Sequence, residues 1–142
     1  MNILFVCTGN TCRSPMAAAL FNKIATEKDL DVRIESAGLF APNGEPASEN
    51  AVLAMKDYGI DLSGHRAKTV SSELLKQVDL ALTMTASHKM ALEQYLRDKV
   101  YTLCEFAEVE GDIPDPYGGD LEEYKICADK IYNALLKVAE KI

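Results

Sequence analysis

The nine residues Cys7-Thr8-Gly9-Asn10-Thr11-Cys12-Arg13-Ser14-Pro15 constrain this chain more than any other stretch. They follow the apolar run Ile3-Leu4-Phe5-Val6 and precede a pattern of helical period, so they read as the loop of a strand–loop–helix unit. Ser is a favoured N-cap and Pro a favoured first helical residue, which places the helix start at Ser14-Pro15. A loop of this size beside a helix N-terminus can curl into a nest whose backbone N–H groups hold a tetrahedral dianion such as phosphate. Arg13 can grip two oxygens of that anion in a fork, with Cys7 beneath the central atom. The same field favours thiolate over thiol and makes Cys7 a nucleophile. A merely buried Cys7, or Cys7 and Cys12 as half of a metal site, leaves Arg13 and the turn-shaping Gly9, Asn10 and Ser14 unexplained. The phosphate-loop reading accounts for all of them.

The rest of the chain alternates strands and helices without a linker or repeat. Residues 2–6 read as a central strand and 15 to about 28 as an amphipathic helix. Residues 32–36 read as a strand nearer the sheet edge. A loop over 38–46 precedes a helix over 47–58 that ends at Gly59. A short helix over 72–77, with Ser71 or Ser72 as cap, leads to a strand over 80–84 and a helix over 87–96. A fourth strand spans 100–103, and Asp120 caps a last helix whose apolar positions recur at helical spacing. Such alternation predicts an α/β fold: a three-layer, doubly wound, four-stranded parallel sheet of flavodoxin-like order 2-1-3-4. Ligands of these sheets bind beyond the carboxyl ends of the strands near the switch point, where Cys7 would lie.

Asp115 stands between Pro114 and Pro116 on a long loop after the fourth strand. Such a residue is ordinarily a turn former. A thiolate displacing a poor leaving group, however, requires a proton donor, and a stiff loop can aim Asp115 at the leaving atom. Asp112 fits less well. Asn10 suits a left-handed conformation with hydrogen bonds across the loop, and Ser14 can offer its hydroxyl to Cys7. Cys12 is either a packing residue or the partner of Cys7 in a reversible disulfide that protects it from overoxidation. Leu39 and Phe40 either cover the core or, for Phe40, wall a substrate cleft. His65 and His88 lack clustered partners and read as surface or capping residues. Cys104 and Cys127 read as buried thiols.

A net charge of −7 over 142 residues disfavours nucleic acid, whose phosphates would be repelled. No apolar run approaches the length needed to span a bilayer, and the N-terminus lacks a basic leader. The expectation is one cytoplasmic domain over residues 1–142. Apolar content of 48% is sufficient for a packed core at this length.

The loop Cys7 to Pro15, the downstream Asp115-Pro116-Tyr117 and the intervening Ser36-Ala37-Gly38 together resemble the low-molecular-weight protein tyrosine phosphatase family. The resemblance covers essentially the whole chain. Thr11 and Gly118-Gly119 are most similar to the bacterial protein arginine phosphatase branch; tyrosine-specific members more often carry Ile where Thr11 stands. The resemblance implies a monomeric protein phosphatase that acts on phosphoarginine in protein substrates and releases inorganic phosphate. It implies neither metal nor organic cofactor. Cys7 would be the nucleophile, Arg13 the phosphoryl clamp and Asp115 the acid, then base. Thr8, Gly9, Asn10, Thr11, Cys12 and Ser14 would complete the phosphate site, with Phe40 and Tyr117 flanking the substrate. A tyrosine phosphatase is the alternative. An arsenate reductase of the same fold would need relay cysteines after the third strand, and that stretch, from Leu82 to Lys89, has none.

Overall fold

A computed structural model describes residues 1–142. Four parallel strands, β1 (Asn2–Cys7), β2 (Arg33–Gly38), β3 (Leu80–Thr83) and β4 (Val100–Thr102), form one sheet in the order β2-β1-β3-β4. The flavodoxin-like order expected from the alternation is therefore present. Strand β1 is buried along nearly its whole length, and successive side chains serve opposite faces. Ile3, Phe5 and Cys7 join the larger core, while Leu4 and Val6 join the smaller one.

The larger core is closed by α1 (Arg13–Lys28), α2 (Glu49–Lys56) and α6 (Leu121–Glu140). In α6, Tyr124, Cys127, Ala128, Ile131, Leu135 and Val138 are buried at steps of three and four, so one stripe faces the sheet. The opposite face is covered by α3 (Ser72–Gln77) and α4 (Ala86–Leu96), through Leu74, Leu75, Leu92 and Leu96. The result is the expected three layers.

Three local expectations need correction. Helix α1 starts at Arg13, and its N-cap, Cys12, makes no side-chain capping bond. Ser14 is the second helical residue and does not cap, because its hydroxyl is engaged with Cys7 and Asn10. Helix α2 is shorter than the 47–58 reading and has Ser48 as its N-cap. Strand β4 stops at Thr102, where a capping box with Glu105 starts a single helical turn, α5 (Leu103–Phe106). Asp120 does cap α6, accepting the Glu123 N–H at 3.0 Å.

Pairing runs from Asn2↔Arg33 to Cys7↔Gly38 on one side of β1, and from Ile3↔Leu80 to Val6↔Thr83 on the other. The connection from β1 leads outward to β2, whereas β3 lies on its opposite flank. Cys7 thus ends its strand at the switch point of the sheet.

Candidate active site

The loop after Cys7 is built around Asn10, which is fully buried and left-handed at φ 54°. Asn tolerates that region better than most residues because its short polar side chain bonds locally. Here all of its polar groups are engaged. Its N–H donates to Cys7 Sγ (3.3 Å) and its Nδ2 to Ser14 Oγ (2.8 Å) and Ser36 Oγ (2.9 Å). Its Oδ1 accepts the Lys68 N–H (3.0 Å), and its carbonyl lies 2.7 Å from His65 Nε2. Further main-chain bonds pin the loop: Leu39 N–H to Cys7 O, Phe40 N–H to Thr8 O and Ser48 N–H to Thr11 O. Ser14 Oγ lies 3.0 Å from Cys7 Sγ.

With the loop so held, the N–H groups of Thr8, Gly9, Thr11, Cys12, Arg13 and Ser14 donate to no protein acceptor. Those of Arg13 and Ser14 belong to the open first turn of α1. The Arg13 side chain is buried, and its Nη1 donates to the Ile113 carbonyl at 3.0 Å. Its Nη2 lies 3.6 Å from Asp115 Oδ2. Its Nε is buried without a partner, a rare and costly condition for a guanidinium. Unpaired amides and an unpaired guanidinium nitrogen are what a tetrahedral anion would satisfy.

Asp115 reaches this place from the loop between α5 and α6. Ile113 N–H donates to the Met84 carbonyl, and Asp112 Oδ1 accepts the Ala86 N–H at the start of α4. Asp112 therefore anchors the loop to β3–α4. Asp115 itself is half-exposed and accepts the Tyr117 N–H on Oδ1 at 3.0 Å. Cys127 lies beneath the loop, its thiol donating to the Pro114 carbonyl at 3.7 Å. Burial pushes the Cys127 thiol up to about 12 and leaves it protonated.

An open cleft of about 300 Å³ joins Cys7, Thr8, Gly9, Thr11, Cys12 and Arg13 to Asp115 and Tyr117, with Pro42 at its edge. The structure thus brings together residues separated by a hundred positions. Phe40 is not among the lining residues. It is 81% exposed, so it does not cover the core, where Leu39 packs instead; its N–H bonds the Thr8 carbonyl, which keeps Phe40 beside the loop. Burial first, then the Cys7 and Asp115 charges, pushes the Cys12 thiol up to about 12.

Of the two histidines expected at the surface or as caps, His65 is half-buried and His88 lies inside the protein. His88 is buried, with Nε2 2.8 Å from Thr8 Oγ1 and Nδ1 3.0 Å from Thr85 Oγ1. Burial, and next the Arg13 charge, lower its pKa to about 4. His65, Ser36, Gly38 and His88 all buttress the loop from elsewhere in the chain. Only Ser36 and Gly38 carry a sequence signal, as part of the Ser36-Ala37-Gly38 match.

Residues 2–142 match the model of the low molecular weight phosphotyrosine protein phosphatase family. A protein-arginine-phosphatase of Bacillus subtilis is 44% identical, with 100% of this chain and 97% of that protein covered. A low molecular weight protein-tyrosine-phosphatase, PtpB, of Staphylococcus aureus is 36% identical, covering 100% and 99% respectively. Among solved structures, a low molecular weight protein tyrosine phosphatase from T. tengcongensis superposes with a TM-score of 0.95 at 49% identity, over 100% of this chain and 99% of that one. The YwlE arginine phosphatase carrying a phosphorylated active-site serine has a TM-score of 0.95 at 41% identity, over 99% and 95%.

Proposed function

Because the chain belongs to the low molecular weight phosphotyrosine protein phosphatase family, we propose that it hydrolyses phosphoarginine on proteins through a cysteinyl-phosphate intermediate. The observation that carries the chemistry is the buried, unpaired Nε of Arg13 beside a ring of unpaired amides around Cys7. Cys7 Sγ attacks phosphorus as the bond from phosphorus to the leaving nitrogen breaks, and Asp115 gives that nitrogen its proton. Asp115 then takes a proton from water. The water oxygen bonds to phosphorus, the sulfur–phosphorus bond breaks, and inorganic phosphate leaves. Arg13 and the amides hold the equatorial oxygens throughout.

The arginine preference draws support from the 42–44% identity to protein-arginine-phosphatases and from Thr11 in the cleft wall. The exposed ring of Tyr117 in the same wall favours the second reading, a protein tyrosine phosphatase. A comparison of kcat/KM on phosphoarginine and phosphotyrosine peptides of one sequence decides between them. A higher value on phosphotyrosine overturns the first reading.

No helix is long and apolar enough to cross a membrane. A cytoplasmic monomer, reversibly inactivated through a Cys7–Cys12 disulfide, completes the proposal; both cysteines line the same cleft.

A further inference from the structure

The chemistry above uses neither His88 nor the Thr8 hydroxyl, yet the two are bonded. Thr8 directly follows Cys7, and its exposed side chain lines the cleft. Its Oγ1 meets Nε2 of His88, which lies in the first turn of α4 and is only 5% exposed. The other ring nitrogen meets Oγ1 of Thr85, the N-cap of α4, and Thr85 also accepts the His88 N–H at 3.3 Å. Both ring nitrogens therefore face hydroxyls, and no carboxylate is bonded to either. The imidazole is neutral, with one nitrogen a donor and the other an acceptor. The Thr8 carbonyl is tied as well, by the Phe40 N–H at 3.0 Å. With main chain and side chain both tied, Thr8 Oγ1 is held in one place on the wall.

We propose that His88 is a positioning residue for substrate selection, holding the Thr8 hydroxyl on the cleft wall as a polar contact for the N–H groups of a phosphorylated guanidino substrate. This rests on the phosphoarginine reading given above. A phosphorylated guanidino group carries N–H donors just beyond phosphorus, whereas an aryl phosphate presents an oxygen and an apolar ring there. An acceptor already oriented by a buried partner loses less rotamer freedom on binding than a free Thr side chain. Thr8 thereby adds a second polar contact beside Thr11, and its supporting group is delivered by β3–α4, the same junction to which Asp112 anchors the acid loop.

The test measures kcat/KM on a phosphoarginine peptide and on p-nitrophenyl phosphate. The proteins are the wild type, His88→Leu, Thr8→Val, Thr8→Ser and the double variant His88→Leu/Thr8→Val. The phosphoarginine-to-aryl ratio is expected to fall about tenfold in His88→Leu and in Thr8→Val, the size of one lost hydrogen bond. The double variant should fall no further than either single one, because each removes the same contact. Thr8→Ser, which keeps the hydroxyl, should keep the ratio. Equal losses on both substrates, or additive losses in the double variant, overturn the proposal in favour of a structural role. Thr8 is exposed, so its variants decide the outcome even where the His88 variant fails to fold: a Thr8→Val enzyme with the wild-type ratio sinks the idea. A wild type that prefers a phosphotyrosine peptide over the phosphoarginine peptide of the same sequence overturns the substrate reading and this one with it. A wild type that prefers phosphoarginine, with the ratio unchanged in His88→Leu, overturns this one alone.

Discussion

The Cβ that Gly38 lacks would stand 2.5 Å from the Thr8 carbonyl oxygen, and it would also meet the Asn10 amide nitrogen at 2.9 Å. Both neighbours are backbone atoms of the phosphate loop, fixed by the hydrogen bonds of Asn10 and Phe40. No flexible side chain can yield. Gly38→Ala should therefore displace the loop, destabilise the protein by about 1–3 kcal/mol and lower kcat/KM on every substrate by at least about tenfold. Thermal unfolding and steady-state kinetics check both. An intact rate would mean that β2, and not the loop, gives way.

Asp115→Asn separates proton transfer from loop geometry. The Asn side-chain oxygen can still accept the Tyr117 N–H, so the local turn should persist. Turnover should fall roughly 10²–10⁴-fold on substrates with poor leaving groups and much less on an activated aryl phosphate. Equal losses on the two classes would assign Asp115 to orientation alone.

The order of these elements was legible because β1 is one continuous apolar run and each strand is followed by a segment of different period. The Cys7–Arg13 spacing was legible for the same reason: it is local. What escaped the sequence was carried by long-range contacts. His65 meets Asn10 across 55 positions and His88 meets Thr8 across 80, and no periodicity records such pairings. Ser14 misled for a physical reason, since an N-cap preference gives way when the hydroxyl has a stronger use beside Cys7. Of the two roles open to Phe40, covering the core is excluded, because the chain turns so that Leu39 packs inward and its neighbour does not.

His88 should make stability pH-dependent. An unfolded His binds a proton near pH 6.5, whereas the folded imidazole resists one until about 4, chiefly through burial and then the Arg13 charge, against weaker opposite effects of Asp112 and Asp115. Between those values the unfolded chain holds more protons, so this contribution is full above pH 6.5 and is lost as pH falls toward 4. The shift caps the effect at about 3 kcal/mol, and screening by water at the cleft leaves about 1–2. Urea unfolding at pH 7 and 4.5 should show wild type losing that much more than His88→Leu. Parallel losses would mean that His88 is protonated in the folded state.

Mild peroxide should oxidise Cys7 first, because the Cys12 thiol, with a pKa of about 12, is almost wholly protonated. Peroxide oxidises Cys7 to a sulfenic acid, and the Cys12 sulfur then displaces water from it to close the disulfide. Closure should quicken with pH as more Cys12 thiolate forms. Peptide mapping after alkylation detects the bond, and thiol reductant should restore activity. A Cys12→Ala enzyme that resists irreversible oxidation as well as wild type would end the protective role.

Thr11 is the residue on which the substrate reading leans most. It is half-buried in the cleft wall, and its main-chain carbonyl accepts the Ser48 N–H at 2.8 Å. That bond stitches the loop to α2 through the backbone, so it survives a change of side chain. Thr and Ile are both β-branched, and Thr11→Ile should disturb the loop little while removing a hydroxyl and adding bulk. Phosphoarginine places a planar polar group beyond phosphorus, and phosphotyrosine an oxygen with a flat apolar ring. An apolar wall suits the ring and leaves the guanidino N–H groups unpaired. Phosphoarginine turnover should therefore drop and phosphotyrosine turnover hold or rise. One lost hydrogen bond to substrate is worth on the order of 1–3 kcal/mol, or about ten- to a hundredfold in the ratio of the two kcat/KM values. A fall in both activities together would show that the side chain serves loop structure. An unchanged ratio would remove Thr11 as selector and leave the arginine preference without its main physical support.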